Sequence, residues 1–119
     1  MLKFLEIGNV VVAELINETL IISEVQEMLD LMGDSGANNC YRLILNERKL
    51  HPDFFRLHTG FAGEILQKFS TYDFKLAIVG DFSKYMSKSL QDFICESNKG
   101  NRVFFVENRD IGLRKLAGK

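Results

Sequence analysis

Three short apolar runs limit the fold more than anything else in this chain: YRLILN at 41–46, FKLAIVG at 74–80 and RVFFVE at 102–107. Each is bounded by turn residues and reads as a strand buried on both faces. Between them the apolar residues switch to helical spacing, with Ala62, Ile65, Leu66 and Phe69 on one face and Met86, Leu90, Phe93 and Ile94 on another. Strands that alternate with helices of this length pair in parallel through right-handed crossovers.

The beginning of the chain follows a different rule. LKFLEI at 2–7 and VVVAEL at 10–15 flank Gly8-Asn9, a two-residue turn suited to a β-hairpin. Ser23 with Gln26 forms a candidate capping box for a helix using Val25, Met28, Leu29 and Met32, ending near Gly33 before the loop DSGANN. Pro52, in the irregular stretch ERKLHPDFFRLHTG, is expected to start a turn or helix. Ser83 is the expected cap of the third helix and Gly100 its stop. Asn108 would cap a short last helix carrying Ile111, Leu113, Leu116 and a basic tail. The resulting order, β-β-α-β-α-β-α-β-α, predicts an α/β fold. Its mixed five-stranded sheet has the antiparallel N-terminal hairpin at one edge, parallel pairing elsewhere, and four helices packed on it.

At 119 residues the chain suits a single domain, 1–119, able to bury roughly 65% of its unfolded surface without a metal or disulfide staple. Fifteen basic residues against sixteen acidic ones leave no basic footprint for nucleic acid. The apolar runs are too short to span a membrane. MLKFLEIGNVVVAEL has no signal-peptide pattern. Cys40 and Cys95 lie outside any metal-ligand spacing and suit a reducing compartment, so a soluble cytoplasmic protein is expected, with no metal and no cofactor. Both cysteines read as small packed residues.

In a parallel sheet, ligands collect beyond the carboxyl ends of the strands. Three segments should meet there: His51 to Gly60, Gly80-Asp81-Phe82-Ser83-Lys84, and Glu107-Asn108-Arg109-Asp110. Thr59, Gly60, Asp81, Ser83 and Lys84 are the candidate ligand-binding residues, with Lys84 or Lys88 to complement an anion. The competing reading makes Asp81 or Ser83 a helix cap and leaves the lysines solvated. His58 is the one candidate general base, with Asp81 to orient it; the plainer alternative is a capping Thr59 beside a partly buried His58. His51, Asp53 and His58 lack the spacing of a metal site. Gly60 and Gly63 suggest close helix packing. Phe54-Phe55 form either part of the core or an exposed association patch.

The stretch from Phe61 to Gly100, with GEILQKF and FKLAIVGDFSKYMSKSLQDFICESNKG, resembles a family of small bacterial proteins known as a domain of unknown function (DUF4180). The likeness covers nearly the whole chain and implies no activity. The element order also resembles the SpoIIAA-like, or STAS, fold of anti-sigma-factor antagonists. In that fold an Asp-Ser-Ser-Gly loop opens the helix after a central strand. Leu57-His58-Thr59-Gly60 here keeps a hydroxyl and the glycine. Leu57 replaces the acidic residue, and His58 stands where the phosphorylated serine would be. A non-catalytic regulatory or binding module is therefore expected, acting through a protein partner or a small anionic ligand. The alternatives are a small enzyme using His58 and Asp81 on a phosphorylated or acyl substrate, and a structural homodimer joined at the hairpin edge or at Phe54-Phe55.

Overall fold

Strand order follows chain order in the computed structural model, which describes residues 2–17 and 19–118. The elements are β1 (Leu2–Ile7), β2 (Val10–Leu15), α1 (Val25–Gly36), β3 (Arg42–Asn46), α2 (Phe61–Thr71), β4 (Lys75–Val79), α3 (Lys88–Lys99), β5 (Val103–Val106) and α4 (Arg109–Leu116). The single sheet runs β1-β2-β3-β4-β5, antiparallel between β1 and β2 and parallel elsewhere. Lys119, the end of the expected basic tail, lies outside the described residues.

Each parallel crossover steps one strand further in the same direction, so crossovers of one hand set α1, α2 and α3 on one face. That face holds the larger core, where Met28, Ile65, Phe69 and Leu90 meet Leu43, Leu45, Leu76, Ile78 and Phe105. Among the described residues the opposite face is covered by α4, through Leu113 and Leu116 against Val12, Ile44, Ala77 and Phe104. Phe104 and Phe105, adjacent on one strand, are both buried because a helical layer lies on each side. A Cβ on Gly112 would come 2.9 Å from Ile44 Cδ1, so the small residue lets α4 sit directly on the sheet. Close packing is therefore found at Gly112 and not at the expected pair: Gly63 has open space, and Gly60 holds a left-handed turn at φ +79°.

Local chemistry accounts for the boundaries that differ from expectation. Gly8 takes φ +63° while Asn9 does not need a positive φ, the pattern of a type II′ hairpin turn. Glu24, not Ser23, is the N-cap of α1, and the reaching carboxylate belongs to Glu27, which accepts the Ser23 and Glu24 N–H groups at 2.9 and 3.0 Å. Those bonds hold the Glu27 carboxyl below its ordinary range. Gln26 instead donates to Asp30. The helix passes Gly33 and runs to Gly36, where the buried Ser35 hydroxyl donates to Cys40 O at 2.7 Å. The cap of α3 is Ser87, whose hydroxyl accepts the Leu90 N–H; Met86 precedes the helix and is 93% exposed rather than on its buried face.

The irregular stretch folds into three 3-10 turns, Glu47–Lys49, Pro52–Phe55 and Leu57–Thr59. Pro52 starts the second, and Phe54 and Phe55 are both buried there. Both belong to the larger core, as the first of the two expected readings had it. Cys40 is buried, its thiol directed at Val11 O, whereas Cys95 is exposed on α3 rather than packed. No helix among the described residues is long and apolar enough to cross a membrane.

Candidate functional site

The chain leaves β3, β4 and β5 on the same edge of the sheet, and a carboxylate ties the first two exits together. Glu47, directly after β3, is only 9% exposed. One of its oxygens accepts the Asp81 N–H at 3.0 Å. The other accepts the Tyr85 hydroxyl at 3.1 Å and pairs with Lys84 Nζ at 2.8 Å. Both oxygens thus have partners, which is the condition for keeping a carboxylate so nearly buried. A Cβ at Gly80 would overlap the Glu47 side chain, so glycine leaves the room that Glu47 occupies at that crossing. Burial, together with the bond to Glu47, pushes the Tyr85 hydroxyl up to about 12.

This network decides the shape of the next segment. Gly80 closes β4 by donating to Val106 O, and Asp81 turns the chain by accepting the Ser83 N–H at 3.1 Å and hydroxyl at 2.6 Å. Those two Ser83 bonds hold the Asp81 carboxyl below the usual range and keep it ionised. The turn Phe82–Lys84 is a 3-10 turn and not the start of α3, so Ser83 serves the turn and Ser87 the helix. Gln91 on α3 donates to Phe82 O and Tyr85 O at 2.7 and 2.9 Å, fixing the turn from the other side.

Between this turn and α4 lies an open cleft of about 650 Å3. Phe82, Phe105, Val106 and Ile111 give it apolar surface, while Asp81, Ser83, Glu107 and Lys115 are its ionisable or hydroxyl-bearing members. Two more anchors hold its walls. Glu14, at the end of β2, accepts two bonds from Arg109 at 2.7 and 3.0 Å and so ties the first turn of α4 to the sheet. Asn108 caps α4 by accepting the Ile111 N–H.

The residues singled out from sequence divide into two groups. Asp81 and Ser83 line the cleft. Lys84 lies in the same turn but is paired with Glu47, and Lys88 with Asp92 at 2.9 Å. Thr59 and Gly60 sit at the entry to α2, where the single Thr59 hydroxyl proton is shared between Asp53 O and Arg56 O and the oxygen accepts the Phe61 N–H. His58 is exposed on the 3-10 turn Leu57–Thr59. No hydrogen bond joins it to Asp81, whose carboxylate bonds to Ser83 instead. His51 is occupied as a cap, accepting the Asp53 N–H on Nδ1. No group of three His, Cys, Asp or Glu side chains among the described residues is placed to hold a metal ion.

Glu47, Tyr85, Gln91 and Glu14 were not among the sequence candidates. The one available signal for Glu47 was an acidic residue ending an apolar strand, with glycine ending the next.

A model of the family described as Domain of unknown function (DUF4180) matches residues 7–116. No curated protein and no solved structure matches the chain.

Proposed function

For a chain that belongs to the DUF4180 family, we propose a regulatory or binding role without catalysis, centred on the cleft at the carboxyl ends of β4 and β5. The regulatory half of the reading rests on the likeness of the element order to the SpoIIAA-like fold. The binding half rests on one observation. Apolar side chains and a few polar groups converge on a cleft whose volume, about 650 Å3, falls in the range of small-molecule sites.

The chemistry of the lining selects the ligand. Lys84 and Lys88 already have carboxylate partners, which offset their charge toward an anion. Asp81 and Glu107 outnumber Lys115 in the cleft. The best fit is a small molecule with an apolar body to cover Phe82, Phe105 and Ile111 and with amine or hydroxyl donors for the two carboxylates. The side chains of the turn bond to one another and so serve to hold its shape, which supports binding over reaction.

The test is a titration of 15N-labelled protein with a library of small amphipathic amines and alcohols. Joint shifts at Gly80–Ser83, Asn98 and Glu107–Ile111, lost in Ile111→Lys, are the expected result. If no compound moves those amides, or if Ile111→Lys binds as well as the parent, the cleft is not a binding site.

A further inference from the structure

We propose that the outer edge of β1 takes an extended, basic segment of a partner protein as a sixth strand of the sheet. The two-residue turn sets which groups are available. Ile7 and Val10 close the hairpin, so in antiparallel pairing Ile7, Leu5 and Lys3 bond to β2. The N–H and C=O groups of Leu2, Phe4 and Glu6 then point outward. Among the described residues, no side chain and no other segment bonds to them. Such a row is a template for another strand.

Beside that edge, on the face that carries α1, lies a groove of about 320 Å3. Leu2, Phe4, Leu20 and Leu31 supply its apolar lining, and Asp34 is its charged member. Phe4 is 39% exposed there. An added strand would place alternate side chains over Phe4 and the groove.

Charge identifies the occupant. Between Lys3 and Arg42 the sequence contains no lysine, arginine or histidine, while α1 alone carries Glu27, Asp30 and Asp34. The Asp34 carboxylate has no hydrogen-bond or ion-pair partner among the described residues. Alternate residues of an added strand share one face, so a strand that carries both apolar residues and lysine or arginine at its groove-facing positions matches the groove and this acidic flank. A second copy of the chain would bring the same acidic flank against it, which opposes self-pairing.

The test uses a blocked heptapeptide with both valine and lysine among its alternate, groove-facing positions and threonine between them, and a counterpart with glutamate in place of lysine, titrated into the 15N-labelled full chain. The lysine peptide should slow amide exchange at Leu2, Phe4 and Glu6 and shift Leu31 and Asp34, while the glutamate peptide should not bind. Glu6→Pro removes an outward N–H without a bond to β2 and should weaken binding by about tenfold. Asp34→Lys should do the same through charge, and needs no backbone change. Unmoved edge amides, equal binding of the glutamate peptide, or unchanged affinity in Asp34→Lys would overturn the proposal. So would a dimer by light scattering whose β1 amides are already protected, since a second copy would then hold the edge. None of these readouts involves the cleft at β4 and β5.

Discussion

At one side of the sheet, β5 is four residues long and all four are buried. The outward groups of its Phe105 are taken by Asn98 of α3, which accepts the Phe105 N–H at 2.8 Å and donates to Phe105 O at 3.1 Å. At the other side, β1 is six residues long, has no fully buried position, and keeps its outward groups unbonded among the described residues. The two edges carry the same backbone chemistry and differ in what a neighbouring helix offers. Where α3 supplies an amide, the edge becomes a wall of the cleft; where α1 supplies leucine and aspartate, it stays a margin open to solvent.

The largest effect should separate the edges by core packing. Phe105→Ala is expected to cost about 3–5 kcal/mol in urea unfolding, the range for a buried phenylalanine, and Phe4→Ala under about 1 kcal/mol. Comparable losses at the two positions would break the contrast. Glu47→Ala comes next, at about 2–3 kcal/mol, because Tyr85 and the Asp81 N–H lose their acceptor. Its amide spectrum should change around Gly80–Tyr85 and leave β1 untouched.

Asn98→Ala is expected to cost about 1–2 kcal/mol and to free the β5 edge. Concentration-dependent association of that variant, measured by light scattering, would show that the amide is what closes the strand. A monomer with an unchanged Phe105 exchange rate would show that it is not.

The smallest effect concerns pH. Folding raises the Tyr85 pKa from 10.0 to about 12, so above pH 10 the unfolded chain releases a proton that the folded chain keeps. Stability should therefore fall between about pH 10 and 12. Tyr85→Phe should flatten that part of the unfolding profile while lowering stability at neutral pH. An identical slope in parent and variant would remove Tyr85 from the alkaline transition.

The fold was readable because short continuous apolar runs alternate cleanly with apolar residues at a 3.6 spacing: YRLILN, FKLAIVG and RVFFVE are strands, and the helical faces at Ala62–Phe69 and Leu90–Ile94 pack inward as their spacing requires. Capping was less readable, since Ser83 and Ser87 both precede the apolar face of α3. Only the acceptor at Asp81 decides that Ser83 belongs to the turn. The site was half readable. The carboxyl-edge rule found Gly80 to Ser83, but Glu47 and Glu14 act across 34 and 95 residues of sequence, through bonds to Asp81 and Arg109 that no local spacing encodes.

The unbroken succession of strands, each beside the one made before it, also bears on how the chain folds as it is synthesised. Every strand after the first finds its pairing partner already translated, and no gap has to be held open for a later insertion. Each parallel pairing closes a single crossover and skips no strand, which limits its entropic cost. The sheet can grow in one direction from the ribosome, and α4, the last element, seals the second face only when the rest is in place.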